Sequence, residues 1–255
     1  MGGEIMIYMT GDCHREFGRF STSVFLEQRE MTKNDYVIIC GDFGGIWVYE
    51  KESKEERNWL DWLDKKSFTT LFVSGNHENF DRLDAYPMKE WHGGKVNEIR
   101  PSVLHLRRGE IFLINEKTFF TFGGARSHDI RDGILDSEKD KEKIKEWQRD
   151  YTKLFRINKR TWWQQEMPTE EEMRYGLENL KKYGNKVDYI VTHCGPQHAV
   201  SFFSGGVFKG DELTEYFNTI CDIVDFQGWF FGHYHENKKI LDKYYLLYEQ
   251  LVRIL

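Results

Sequence analysis

Six short runs rich in β-branched and aromatic residues are spaced along the chain, and five of them stop at a side chain able to hold a cation. The runs are EIMIYM (4–9), DYVIIC (35–40), FTTLFVS (68–74), KTFFTF (117–122), VDYIVT (187–192) and QGWFF (227–231). Each has the length and composition of a buried strand. Amphipathic helical patterns fall between several of them: STSVFLEQRE (21–30), KEERNWLDWLDKK (54–66) and TEEEMRYGLENLKKYG (169–184), the last with Thr169 and Glu172 spaced as a capping box. Strand alternating with helix predicts an α/β fold. Near the C-terminus KKIL and YYLLYEQLV change the rhythm to short strands, which suits antiparallel pairing in a mixed sheet or a second sheet.

The punctuation of those runs carries the chemistry. Gly11-Asp12-Cys13-His14 follows the first, Gly41-Asp42 the second, Gly75-Asn76-His77-Glu78 the third, His193 the fifth and Gly232-His233-Tyr234-His235 the sixth. In an open α/β sheet the carboxyl ends of neighbouring strands face one crevice, so segments far apart in sequence would converge there. Asp12 and His14, like His233 and His235, are two residues apart, and extended backbone would turn both members of a pair to one side. The glycines at 11, 41, 75 and 232 allow a sharp exit and close backbone approach, although turn-making alone explains any one of them.

Carboxylate, imidazole and amide oxygen without thiolate suit Mn, Fe or Zn. Seven donors, Asp12, His14, Asp42, Asn76, His193, His233 and His235, are too many for one tetrahedral ion. They suit two divalent or trivalent ions sharing a carboxylate, with positions left for solvent and substrate. Such a site keeps net positive charge and attracts a phosphate oxyanion. His193 alone would read as a core histidine; the ordered set at strand ends carries the inference.

Bulk properties bound the partners. A chain of 255 residues, 40% hydrophobic and 31% charged, is read as a single domain, 1–255, with a charged, Trp-containing insertion at about 127–168. Within it SEKDKEKIKEWQRDY (137–151) reads as a solvated helix, with Trp147, Trp162 and Trp163 covering core or serving a lid. The formal charge of -6 disfavours extended nucleic acid as a partner. The apolar start is too short for a signal peptide, and no run of about 18 apolar residues spans a membrane, so a cytoplasmic location is expected. Cys13, Cys40, Cys194 and Cys221 form no CxxC pair and read as free thiols.

The ordered series GDCH, GDFGG, GNHE, THCG and GHYH, from Gly11 to His235, resembles the calcineurin-like metallophosphoesterase superfamily, in its small bacterial-type metallophosphatases. The resemblance implies two mixed β-sheets packed as a sandwich flanked by helices, in four α/β/β/α layers. It implies a dinuclear site in which Asp12, His14 and His235 hold one ion, Asn76, His193 and His233 the other, and Asp42 bridges. It further implies a hydrolase that cleaves a phosphomonoester or phosphodiester by in-line attack of a hydroxide held by the metals, with catalytic His77 serving the leaving oxygen. The expected substrate class is a small phosphate ester or nucleotide; protein phosphatase, nuclease or metal-binding scaffold are the alternatives.

The sequence departs from the protein-phosphatase branch of that superfamily. Where the branch has GDxxDRG, this chain has Gly41-Asp42-Phe43-Gly44-Gly45-Ile46, and Arg15 replaces the usual glycine after the DxH motif. A substrate phosphate is therefore expected to meet Arg126, His128 or Arg15. Arg126 and His128 follow the strand KTFFTF and a Gly-Gly turn, where a guanidinium can present a bidentate fork. An ion pair is the alternative use of Arg126.

Overall fold

The computed structural model describes residues 5–255, so Glu4 of the first expected strand lies outside the described residues. In chain order the strands are β1 (Ile7–Thr10), β2 (Tyr36–Ile39), β3 (Thr69–Phe72), β4 (Met88–Trp91), β5 (Gly94–Arg100), β6 (Val103–Leu106), β7 (Glu110–Ile114) and β8 (Lys117–Phe122). They continue as β9 (Gly133–Leu135), β10 (Phe155–Ile157), β11 (Tyr189–Thr192), β12 (Gly228–Phe231), β13 (Lys238–Ile240), β14 (Tyr244–Leu246) and β15 (Val252–Arg253). The helices are α1 (Lys54–Asp64), α2 (Phe80–Leu83), α3 (Lys141–Trp147), α4 (Glu170–Lys182), α5 (Gln197–Ser204) and α6 (Glu212–Ile223).

Two large mixed sheets result, ordered β15-β1-β2-β3-β6-β5-β4 and β13-β14-β12-β11-β8-β7. Their centres are parallel, β1-β2-β3-β6 in one and β8-β11-β12-β14 in the other. Antiparallel strands finish every edge. Strand alternation then divides the apolar side chains among three cores. Ile7, Met9, Ile38 and Leu71 meet Phe119, Val191 and Phe230 between the sheets. Val37, Ile39 and Phe72 turn outward against Leu60 and Leu63 of α1. Phe120, Phe122, Trp229 and Phe231 pack under α4, α5 and α6 through Leu180, Val200 and Phe217. The expected four-layer α/β/β/α arrangement is thus observed. Leu60 and Leu63 are fully buried, and each contributes roughly 1.5–3 kcal/mol by leaving water.

Local chemistry sets the helix starts. Ser53 and Glu56 cap α1 reciprocally, as Thr169 and Glu172 cap α4. Glu56 also accepts from the backbone N–H groups of Trp47 and Val48 at 2.7 Å and pairs with Arg82 at 2.9 Å, tying the loop after β2 to α1.

Two expectations need correction. The 21–30 segment forms turns and a single 3-10 turn, Glu27–Arg29, instead of a helix. The Gln28 side chain donates to the carbonyls of Phe20, Ser21 and Phe25, fixing an irregular backbone that buries Phe20 and Phe25 and leaves Val24 and Leu26 exposed. In the 137–151 segment only α3 is helical, and β9 pairs with β10 across it in a separate two-stranded sheet. Trp163 is fully buried, in keeping with a packing role. No helix among the described residues is long and apolar enough to cross a membrane.

His105 on β6 makes the interior sensitive to acid. Its Nδ1 donates to Asn97 Oδ1 at 3.1 Å, and burial pushes its pKa from 6.5 down to about 3, with Arg107 and Arg108 adding to the effect. The unfolded chain therefore takes up this proton first. The associated stability is complete above the unfolded value and drains as pH falls toward the folded one. Between pH 7 and pH 5 wild type should lose about 2 kcal/mol through this group that His105→Gln does not lose. Urea midpoints at the two pH values test it; parallel curves for both proteins would refute it.

Candidate metal centre

β1, β2 and β3 lie side by side in one sheet and β11 and β12 in the other, so their carboxyl ends release five turns along a common edge. Those turns are bonded to one another. The Asp12 carboxylate accepts from the His233 N–H at 2.9 and 3.1 Å. Asp42 Oδ1 accepts from the N–H groups of Asn76 and His77 at 2.8 and 2.9 Å, while the Asp42 carbonyl accepts from Cys13 and His14 at 3.0 and 2.8 Å.

Side chains converge on this frame. His235 Nε2 lies 3.1 Å from Asp12 Oδ2 and 3.1 Å from His14 Nε2. Ligand atoms of Asp12, His14 and His235 fall within 4.8 Å of one another, as do those of His14, Asp42 and His77. The Nδ1 of His193 donates to the Cys40 carbonyl at 2.8 Å, which turns Nε2 toward Asp42 Oδ1 at 3.3 Å and Asn76 Oδ1 at 3.2 Å. Asn76 donates its amide N–H to Ser127 Oγ at 3.3 Å. His233 stands with its ring 4.9 Å from that of His193. A cavity of about 190 Å³ is lined by Asp42, Asn76, His77, His128, His233 and His235, together with Asp129 and Arg156. A larger cavity of about 530 Å³, lined by His105, Arg107 and Arg108, contains none of the seven donors.

The electrostatics fit a cation. Asp12 and Asp42 are 0% and 2% exposed. Burial opposes protonation of His193, but the carboxylates of Asp42 and Asp12 outweigh it and push its pKa up to about 10. Burial raises the Asp42 carboxyl, yet His193, His77 and His14 hold it well below the usual carboxylate range. Burial lowers His14, His77 and His233 from the ordinary imidazole value, leaving neutral rings with lone pairs to offer. Carboxylates that draw a proton onto a buried imidazole would draw a metal ion equally well, and the residues present fit a hard-to-borderline ion. Thiols stand outside this set: burial raises Cys13 to about 12, and raises Cys40 and Cys194 well above the ordinary value.

The backbone differs from the extended path expected of the DxH-like pairs. His14, Asp42, His233 and His235 have φ of 46°, 46°, 72° and 51°, in the left-handed region that L-residues seldom occupy. Left-handed residues follow β1, β2 and β12, so tight turns rather than strand pleat bring the paired side chains together. The expected role of glycine is visible at two positions. A Cβ on Gly75 would overlap Asp42 Oδ1, and one on Gly232 would overlap Asp12 Oδ1.

Of the substrate-binding candidates, His128 lines the cavity with its ring 4.5 Å from that of His233. Arg126 does not. It pairs with Glu212 at 2.6 Å and Asp211 at 3.7 Å, captured by the acidic start of α6. Arg15 is also outside the cavity lining, 3.9 Å from Glu55. Three residues near the site escaped sequence reasoning. Glu78 is fully buried and accepts from the N–H groups of Phe43 and Gly75; burial and then Asp42 raise its pKa to about 8. Its place in GNHE was the available signal. Trp47 sits 5.5 Å from the His77 ring. Arg156 reaches the cavity from the 127–168 segment, where no motif marks it.

Residues 5–237 match the calcineurin-like phosphoesterase family. The chain belongs to this family. Calcineurin-like phosphoesterases are metal-dependent hydrolases of phosphate ester bonds, and membership makes that the chain's class of reaction. It is similar to lariat debranching enzyme A of Xenopus laevis, 24% identical over 140 residues, which cover 50% of this chain and 25% of that relative. The chain thus spans about a quarter of the length of the curated relative it matches.

Crowding at Gly75 yields a prediction. Gly75→Ala should destabilise the fold by at least about 2 kcal/mol through displacement of the Asp42 carboxylate. Gly18→Ala, whose Cβ meets nothing within 4 Å, should leave the melting temperature unchanged or higher. Equal melting temperatures for Gly75→Ala and wild type would count against the packed frame.

Proposed function

We propose that this chain hydrolyses a phosphomonoester or phosphodiester, a small phosphate ester or nucleotide, at a dinuclear metal centre. Asp12, His14 and His235 would hold one ion, Asn76, His193 and His233 the other, and Asp42 both. The observation that carries the reading is the convergence of five strand-end turns on two buried carboxylates and a ring of imidazoles. When bound, such ions supply Lewis acidity, activating water at neutral pH and drawing charge from the phosphoryl oxygens.

The chain's own groups supply the rest. Asn76 adds a neutral oxygen donor, which limits the negative charge opposing an incoming phosphate. His77, 4.0 Å from Asp42 Oδ2 and at the cavity wall, is the candidate to neutralise or protonate the leaving oxygen. His128, its ring 4.5 Å from that of His233, would donate to the substrate. A nucleotide phosphodiester is the second reading, favoured by the relative whose name describes lariat debranching. The net charge of -6 weighs against an extended polyanion and leaves a short or local nucleotide linkage as the fitting form.

Metal-reconstituted protein should turn over p-nitrophenyl phosphate or its bis-ester, and chelator should abolish that activity. Asp42→Asn should lower kcat/KM by at least about a hundredfold on whichever ester is preferred. Turnover by neither ester at any tested metal loading would favour the scaffold reading. A clear preference between them would set monoester against diester.

A further inference from the structure

We propose that Arg156, carried into the site by the 127–168 segment, donates a hydrogen bond to a nonbridging oxygen of the substrate's phosphoryl group, with Asp129 as its positioning residue. The assignment rests on the phosphoesterase reading above and identifies the side chain that meets the phosphate, a part for which sequence reasoning selected Arg126.

Arg156 is the middle residue of β10 and lies opposite Ile134 of β9, so its backbone is fixed by a ladder rather than left in a loop. The turn that follows is closed by Ile157 N–H donating to Thr161 Oγ1 at 2.8 Å. From there the side chain, 16% exposed, enters the cavity that Asp42, His77, His233 and His235 also line. Among the residues lining that cavity Arg156 is the single Lys or Arg.

Its hydrogen-bonding inventory shows what remains for a ligand. Asp129 takes Nε at 2.8 Å and Nη2 at 2.5 Å, gripping the guanidinium along one edge. The Thr161 carbonyl takes Nη1 at 3.4 Å. Nη2 also faces His77 Nε2 at 3.5 Å, so one of its hydrogens points at the imidazole assigned to the leaving oxygen. An oxyanion settling in the cavity beside both groups would meet a charge-assisted donor already in place. Asp129, 43% exposed, also lines the cavity and holds the fork while belonging to neither group of potential metal donors. The 127–168 segment thereby becomes part of the catalytic surface as well as a cover over core.

Inorganic phosphate is the probe. Calorimetric titration into Mn²⁺-loaded protein should show Arg156→Ala binding phosphate at least about tenfold more weakly than wild type. Its kcat/KM on p-nitrophenyl phosphate should fall by about 10²-fold, with millimolar guanidinium restoring part of the loss. Arg156→Lys keeps the charge without the fork and should fall between the two, which preserves the test if the alanine variant unfolds. Asp129→Asn should weaken phosphate binding less than Arg156→Ala. Unchanged phosphate affinity and kcat/KM in folded Arg156→Ala or Arg156→Lys would overturn the assignment, as would a loss in Arg156→Ala that guanidinium leaves untouched. Wild type without metal-dependent turnover would instead sink the phosphoesterase reading itself.

Discussion

Two carboxylates removed from water organise this molecule. Asp12 and Asp42 are almost fully buried, and a buried charge that is not met by partners costs several kcal/mol. The fold meets them with backbone N–H groups from the turns after β12 and β3, and with the imidazole of His193. That arrangement dictates much else. Adjacent parallel strands must end together, the two sheets must present the same edge, and positions 75 and 232 must lack a side chain. The apolar layers hold the sheets in place, but it is the carboxylates that fix how their ends meet.

The sequence was most legible where a regular period met a buried face. Strands β1, β2, β3, β8, β11 and β12 were visible because they are short, apolar and punctuated, α1 because of its apolar face, and α4 because its capping box and apolar face agree. Edge strands such as β4, with three exposed residues of four, carry no such signal. The false helix at 21–30 arose because apolar spacing alone does not report a glutamine side chain bridging three carbonyls. At the site, the candidate ligands could be named from strand-end position, whereas their left-handed backbone could not, since nothing in a Gly-Asp or Gly-His pair specifies φ of the second residue.

The charged 127–168 segment resisted reading for a different reason. Its contacts with the body are individual and long-range: Ser127 with Asn76 at 3.3 Å, Trp163 with Asp81 at 3.2 Å, and Arg156 with the His77 ring at 3.5 Å. None follows from local periodicity. Both Arg126 and Arg156 lie among acidic neighbours, and only three-dimensional placement separates the arginine bound at the α6 start from the one facing the cavity.

The left-handed turns have a cost beyond geometry. Four proposed ligands, His14, Asp42, His233 and His235, occupy backbone angles that glycine or asparagine would adopt more comfortably, a burden of about 1–3 kcal/mol apiece at most. Robustness and chemistry are therefore in opposition at these sites. Substitutions drawn from thermostability screens would tend to accumulate here as hardy but inert proteins, so such a screen needs turnover as a second criterion from its first round.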